Sequence, residues 1–277
     1  MTASNFYSII AGVGAGTGIS PLLYSLSPIP TPPSPPSKSP YLTPLLPGRS
    51  VALKFAATYP VILLARNPSN YESIVSEIRS SGGIAHGIST DVSSAASVNA
   101  AFDEIQKEYA GKKLAAAIYN VGGKFVRKPF LELSLEDYTA GYEANGTGFF
   151  LFAQKVLPLL LDSVSSSPHP PSLIVTGATA SLRGSAQMSS FASGKFALRA
   201  TTQSLAREFG PQGVHVAHAI IDGVIDIPRT KEWAANGGVE DGKIRPDAIA
   251  DAYWYLHTQH RSHFTQELDV RPYVEKF

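Results

Sequence analysis

The run FYSIIAGVGAGTG at residues 6–18 decides the fold. Its first half, 6–11, is almost entirely apolar, as in a strand that is buried on both faces of a parallel sheet. Glycines then occupy every second position: Gly12, Gly14, Gly16 and Gly18. Such a turn can bend sharply and let its backbone approach a pyrophosphate at the start of the next helix. The stretch therefore predicts a first strand followed by a nucleotide-binding turn.

Apolar runs alternate with amphipathic stretches along the rest of the chain. Further strands are predicted at 60–66, 84–92, 114–123, 172–179, 214–223 and 268–272. Helices are predicted from Arg49, at 70–83, at 94–110, near 134–161, at about 189–209 and in the segment that begins DAIADAYWYL. This repetition predicts an α/β fold, a Rossmann-type doubly wound parallel sheet in a single domain that spans residues 1–277.

Composition narrows the classes of function. The formal net charge is +1, and Lys and Arg are scattered, so no basic patch suits nucleic acid or an anionic membrane surface. The chain has no cysteine, which excludes disulfides, Cys-based zinc sites and thiol nucleophiles. Its start lacks a signal-peptide pattern, and no apolar run is long enough to cross a bilayer. We expect a cytoplasmic protein with a small-molecule substrate and no metal, nucleic-acid or membrane partner.

The end of the second predicted strand indicates which dinucleotide is bound. NAD-binding Rossmann domains usually place a carboxylate there, which accepts hydrogen bonds from the adenosine 2′-hydroxyl. Here the strand ends in Arg66. A guanidinium suits a 2′-phosphate through bidentate, charge-assisted hydrogen bonds, so the residue favours NADP(H). The alternative is a solvated surface arginine.

Several motifs, in this order, resemble those of the short-chain dehydrogenase/reductase family. AGVGAGTG is similar to the family's TGxxxGxG, and Asp91 follows the third strand as its adenine-contacting Asp does. Asn120-Val121-Gly122 resembles NAG, and Asn145 stands where the family keeps an active-site Asn. The resemblance covers nearly everything outside residues 19–48. It implies cofactor contacts at the glycine turn, Asp91, Asn120 and Gly122.

The segment after the sixth strand resembles the family's PGxVxT, which contacts the nicotinamide amide. It runs from Ile221 to Pro228, with Asp222 and Ile227 in place of the Pro and the Thr. The resemblance therefore implies a cofactor contact at Ile225.

The catalytic turn departs from the family pattern. In the family, a Ser and a Tyr act on the substrate carbonyl, and a Lys one helical turn after the Tyr holds the nicotinamide ribose. Lys195 matches that Lys, but Phe191 replaces the Tyr. The family's interval places Ala178 at the Ser. Loss of a general acid typically costs roughly 10²–10⁴-fold in rate.

Two nearby hydroxyls are substitutes for the missing acid. Thr179 and Ser181 follow Ala178 directly, and their alternative role is to cap the end of the strand. The stretches TGATASLRG, FASGKFALRA and ELDVRPYVEKF together resemble a subgroup of mostly uncharacterised oxidoreductases that carry Phe instead of the active-site Tyr.

Two hypotheses of function follow from the resemblance. The first is an NADP(H)-dependent oxidoreductase that acts on a small carbonyl, alcohol or conjugated C=C substrate. Lys195 and Asn145 would organise the ribose and a proton relay, and Thr179, Ser181 or water would supply the proton. The second is a catalytically silent dinucleotide-binding or scaffold protein of the same fold. Family members often form dimers or tetramers, so a homo-oligomer is a further expectation.

A proline-rich segment, residues 19–48, interrupts the nucleotide-binding loop. Its prolines fix φ and remove backbone donors, so we expect a disordered insert. Deleting it joins GVGAGTG to RSVALKFAA and restores the family's loop. Gly18 and Gly48 are interchangeable at that junction, as expected for a retained intron that splits a glycine codon. The alternative is a genuine loop whose TPPSPPSKSP serves as a PxxP ligand.

Overall fold

A computed structural model describes residues 5–14 and 47–276 of the chain. Seven parallel strands form one sheet in the order β3-β2-β1-β4-β5-β6-β7. The strands are β1 (Phe6–Ala11), β2 (Val61–Ala65), β3 (Ala85–Ser89), β4 (Lys113–Tyr119), β5 (Ser172–Ala178), β6 (His215–Ile221) and β7 (Glu267–Val270). The order reverses between β1 and β4, so the predicted doubly wound sheet is confirmed.

The helices cover both faces of this sheet. They are α1 (Pro47–Ala56), α2 (Glu72–Ser80), α3 (Ala95–Glu108), α4 (Leu135–Tyr142), α5 (Gly148–Ser163), α6 (Ser189–Phe209) and α7 (Pro246–His257). None of these helices within the described ranges is long and apolar enough to cross a bilayer.

Two helices differ from the sequence prediction. Helix α1 begins at Pro47, two residues before Arg49, because a proline is tolerated in the first turn, where its missing N–H has no intrahelical acceptor. The single helix expected near 134–161 is instead α4 and α5, joined by a π-helical turn at Glu143–Thr147. Asn145, a predicted site residue, lies in that turn, so the local widening of the helix determines its position.

The hydrophobic core forms two layers, one on each face of the sheet. Within β1, Phe6 and Ile10 belong to one layer, whereas Tyr7 and Ile9 belong to the other. Since both faces of the central strands are buried, these strands read as continuous apolar runs instead of alternating patterns. This is why the positions of the strands could be predicted closely from the sequence.

Candidate dinucleotide and active site

A cavity of about 570 Å³ opens at the carboxyl ends of the central strands, where the strand order reverses. Its β1–β3 half is lined by Gly12, Gly14, Leu64, Ala65, Arg66, Asn70, Thr90, Asp91, Val92 and Ser93. Its β4–α6 half is lined by Val121, Gly122, Gly123, Lys124, Phe125, Glu136, Ala140, Glu143, Ala144, Phe191 and Arg229. This switch point is the usual ligand site of a doubly wound sheet.

The glycine turn and the start of α1 lie against each other. Gly12 has a φ of +87°, and a Cβ at this position would lie 2.5 Å from the carbonyl oxygen of Asn120. A Cβ on Gly48 would lie 2.6 Å from the carbonyl oxygen of Gly12. Only glycine satisfies both the backbone conformation and the spacing at Gly12. Gly16 and Gly18, together with residues 19–46 of the insert, lie outside the described residues.

The residues after β2 and β3 line the β1–β3 half of the cavity. Arg66 is exposed there, and Asn70 lies beside Gly14, with its Cγ 2.7 Å from where a Cβ of Gly14 would be. Asp91 Oδ1 accepts hydrogen bonds from Ser93 N at 3.0 Å and from Ser93 Oγ at 2.6 Å. The structure therefore brings the predicted Arg66 and Asp91 to one cavity and adds Asn70, which no sequence motif indicated.

Asn120 stabilises the nucleotide-binding loop through two side-chain hydrogen bonds. Its Nδ2 donates to Gly12 O at 3.0 Å, and its Oδ1 accepts from Thr176 Oγ1 at 2.9 Å. The side chain is buried and does not line the cavity, whereas Gly122 does. Asn120 therefore ties the turn after β1 to β5, which fixes the shape of the nucleotide-binding loop.

Lys195 is a buried cation beneath the cavity. It is 1% exposed, and its Nζ donates to the backbone oxygen of Thr176 at 3.0 Å. Burial lowers the pKa of this ammonium group to about 8, because the charged form loses its hydration. The side chain joins α6 to β5, so it is held rigidly by the sheet.

Asn145 is buried beside α6. Its Nδ2 donates to Gly141 O at 2.9 Å, and its Oδ1 has no hydrogen-bond partner among the described residues. A Cβ on Gly194 of α6 would lie 3.3 Å from that Nδ2. Because a buried carbonyl oxygen without a donor is costly, Oδ1 is a ready acceptor for water or a ligand hydroxyl.

The two substitute hydroxyls belong to residues that do not line the cavity. Thr179 Oγ1 makes a short hydrogen bond to Asp222 Oδ1, and Asp222 Oδ2 lies 3.2 Å from Arg271 Nη2. Ser181 Oγ accepts from the backbone N–H of Ala178 at 3.1 Å. Both hydroxyl residues are buried, and neither lines the cavity. The Thr179 hydroxyl therefore donates its proton to a hydrogen bond with Asp222, and the Ser181 hydroxyl caps the end of β5.

An apolar cluster includes the two positions to which the sequence resemblance assigned the family's Ser and Tyr. Ala178, Met188 and Phe191 pack together, and Phe125 lies against them. The Phe125 and Phe191 rings meet edge to face, with their centroids 5.4 Å apart. Phe191 lines the cavity. The wall of the β4–α6 half of the cavity is therefore apolar at Phe125 and Phe191.

The segment after β6 contributes a residue that sequence reasoning missed. Ile225 is buried, pairs with Ile244 and does not line the cavity. Arg229, four residues later, is exposed and does line it. No motif indicated this residue, because the family pattern ends two residues earlier.

The described residues suit a dinucleotide better than a metal. No group of His, Asp and Glu among them has the arrangement of a metal site. Gly12 and Gly48 bring the turn after β1 against the first turn of α1, and Ser50 Oγ in that helix turn is buried without a partner among the described residues. Such a helix start accommodates phosphate, because its N–H groups have no intrahelical acceptors.

Comparison with known proteins identifies relatives. A 3β-hydroxysteroid dehydrogenase of Mediterraneibacter gnavus is 27% identical over 192 residues, which cover 68% of this chain. The match spans 66% of that protein, which is just under two thirds of its length. An uncharacterized oxidoreductase of Staphylococcus aureus (strain USA300) is 24% identical over 212 residues, which cover 76% of this chain and 86% of that protein.

Solved structures agree with these matches. A short-chain dehydrogenase from Rhodopseudomonas palustris is 30% identical and superposes with a TM-score of 0.70. The aligned region covers 96% of this chain and 99% of that one. A metagenomic short-chain oxidoreductase solved in complex with NADP is 18% identical, with a TM-score of 0.71 over 98% of both chains. The family model for short chain dehydrogenase matches residues 48–237. The chain therefore belongs to the short-chain dehydrogenase family.

Proposed function

We propose that the chain is an NADP(H)-dependent oxidoreductase that acts on a small carbonyl, alcohol or conjugated C=C substrate. The observation that carries the cofactor preference is Arg66, which is exposed at the end of β2 and lines the cavity. Its guanidinium can form two charge-assisted hydrogen bonds to a 2′-phosphate. A neutral ribose 2′-hydroxyl cannot accept such a bidentate contact.

Structural neighbours do not share one dinucleotide. The metagenomic relative was solved with NADP, whereas another neighbour, of 16% identity, is described as an NADH-dependent reductase of alginate metabolism. Because the same fold accommodates both dinucleotides, the residue at the end of β2 has to discriminate between them. In this chain that residue is Arg66.

The described residues have separate roles in this proposal. When it is bound, the nicotinamide supplies or accepts a hydride. The glycine turn and the start of α1 hold the phosphates, braced by Asn120. Lys195 would hold the ribose hydroxyls, as the family resemblance implies, and the unpartnered Oδ1 of Asn145 would accept a hydrogen bond from a water. Arg66 and Asp91 would anchor the adenosine side.

The test combines cofactor binding with turnover. Binding of NADPH and of NADH is followed by nucleotide fluorescence, and NADPH consumption is measured against a panel of ketones, aldehydes and enones with the full chain. Binding with turnover of any member supports the proposal. Binding without turnover would favour the catalytically silent alternative, and no binding of either dinucleotide would contradict both.

We also propose that residues 19–48 are a retained intron and that the working protein lacks them. Two observations support this: the family match begins at residue 48, and Gly48 packs on Gly12 as the last glycine of a continuous loop would. Transcript reads should run from the codon of Gly18 directly to that of Arg49. Reads that contain 19–48 throughout would support the alternative of a genuine PxxP-bearing loop.

A further inference from the structure

Among the described residues, the β4–α6 half of the cavity is lined by no hydroxyl or phenol that could donate a proton to a carbonyl. The hydroxyl side chains that line the described cavity are Thr90 and Ser93, and both belong to the β1–β3 half. The positions nearest the expected reaction are Ala178 and Phe191, which have no acidic hydrogen. Thr179, whose hydroxyl is closest in sequence, is bonded to Asp222.

This environment penalises reactions that create separated charges. Hydride transfer from a neutral dihydronicotinamide to a ketone creates an alkoxide and a pyridinium, and transfer to an enone creates an enolate. An oxyanion in hydrocarbon is costly without a donor beside it. Hydride transfer to a cation only moves a positive charge from the substrate to the nicotinamide. A site without a donor therefore favours an electrophile that is already positively charged.

We propose that the preferred substrate is an iminium ion, that is, a C=N bond whose nitrogen is already alkylated or protonated. The inference rests on the proposed function, since NADPH is the hydride donor. When bound, NADPH would supply the hydride that forms the new C–H bond at the iminium carbon. The C=N π pair becomes the nitrogen lone pair, so the products are a neutral amine and NADP⁺. No proton is consumed, which removes the need for the missing Tyr.

Aromatic rings and carboxylates in the same half suit a flat organic cation. Phe125 and Phe191 line the cavity, and aromatic rings attract cations through their electron-rich faces. Glu136 and Glu143 also line it, and neither forms an ion pair with another described residue. The arrangement supplies negative charge beside a hydrocarbon wall.

Two cations among the described residues, Lys124 and Arg229, line the same half as Glu136 and Glu143. Lys124 Nζ lies 3.5 Å from Asp137 Oδ1, and Lys128 Nζ lies 3.3 Å from Asp137 Oδ2, so the two lysines share this carboxylate. Lys195 is buried beneath the cavity and does not line it.

The first arm of the test compares two substrates of similar size with the full 277-residue chain. The cation is N-methyl-3,4-dihydroisoquinolinium, which is permanently charged, and the neutral ketone is 1-tetralone. Rates of NADPH oxidation are divided by the rates without protein. We expect the enhancement for the cation to exceed that for the ketone by at least about 100-fold, the usual value of a general acid.

The second arm measures binding without turnover, by calorimetry on the nucleotide-free chain. Replacing both carboxylates, Glu136→Gln with Glu143→Gln, should weaken binding of the isoquinolinium about 3- to 10-fold, as expected for partly exposed charge pairs. Binding of 1-tetralone should change less than about 2-fold. Glu132→Gln is the matched control, since Glu132 is exposed and does not line the cavity.

The outcomes separate this inference from the proposed function. Equal or greater enhancement of the ketone would overturn the inference and leave the proposed function standing. NADPH binding with reduction of neither compound would also overturn it. If NADPH does not bind, the proposed function fails, and the calorimetric arm alone decides. Unchanged cation binding in the double variant would then overturn the inference.

Discussion

Gly48 packs directly against Gly12, so closely that a Cβ on Gly48 would lie 2.6 Å from the carbonyl oxygen of Gly12. Gly12 begins the turn after β1, and Gly48 lies in the first turn of α1, although 35 residues of sequence separate them. Gly48 therefore belongs to the nucleotide-binding loop in space. This contact makes the loop's geometry testable by single substitutions.

Gly48→Ala should destabilise the fold and weaken NADPH binding. The added methyl must displace the backbone of the turn, and overpacking of this kind typically costs about 1–3 kcal/mol. Gly184→Ala is the matched control, since a Cβ at Gly184 meets nothing within 4 Å. Thermal unfolding and NADPH titration of both variants check the expectation. Equal stability of the two would contradict the close approach.

Deletion of residues 19–48 should leave a folded protein that binds NADPH at least as tightly as the full chain. In this variant Gly18 precedes Arg49 and takes the place of Gly48 against Gly12. A shorter connection also lowers the entropy cost of closing the loop. NADPH titration and thermal unfolding provide the measurement. Loss of folding or of NADPH binding would mean that the segment contributes to the domain.

Phe191→Tyr should raise the reduction of 1-tetralone by about 100-fold, because the new phenol lies at the catalytic turn with Lys195 one helical turn away. The measurement is NADPH consumption with the ketone. Phe196→Tyr serves as the control, since Phe196 is on the same helix but exposed and outside the cavity. No gain in a folded Phe191→Tyr variant would contradict the placement of the active site.

Lys195 should make stability depend on pH at the alkaline end. Its pKa is about 8 in the folded chain and near 10.5 when unfolded. Below pH 8 both states carry the proton, so the cost of burying the charge is fully present. Between pH 8 and 10.5 the unfolded state binds more protons, so the free energy of unfolding rises, by about 3 kcal/mol in all.

Denaturant unfolding of the nucleotide-free chain and of Lys195→Met checks this expectation. The free-energy difference between them should change in favour of the wild type as the pH rises from 8 to 10.5. Lys107→Met, at an exposed position of α3, should follow the wild type. A constant difference between wild type and Lys195→Met would mean that the pKa of Lys195 is not lowered.

The sequence predicted the fold well where the signal was local. Each central strand is a continuous apolar run because both of its faces are buried, and α6 was placed at 189–209, the limits that the structure has. The π-helical turn at Asn145 was not predicted, because it arises where α4 and α6 approach closely at Gly141 and Gly194. Such a contact between distant segments leaves no periodicity in the sequence.

The site residues, too, could be predicted where the signal was local, but not where it depends on contacts between distant segments. Of the residues that the sequence assigned to the cofactor, Arg66, Asp91 and Gly122 line the cavity. Asn120, Lys195 and Ile225 do not line it. The partner of Thr179 is Asp222, 43 residues away, and this contact decides where the Thr179 hydroxyl points. Arg229 lines the cavity because the segment after β6 folds back through the pairing of Ile225 with Ile244. Partners of this kind depend on tertiary packing.

The preference for NADPH over NADH is the central claim, and Arg66 tests it most directly. Dissociation constants of the two reduced dinucleotides are measured by fluorescence for the wild type, for Arg66→Ala and for Arg261→Ala, a control at an exposed arginine outside the cavity. We predict that the wild type and the control bind NADPH about 10- to 100-fold more tightly than NADH, as charge-assisted hydrogen bonds imply. Arg66→Ala should bring the two constants close together. Equal binding of NADH by the wild type, or a preference that survives Arg66→Ala, would contradict the account.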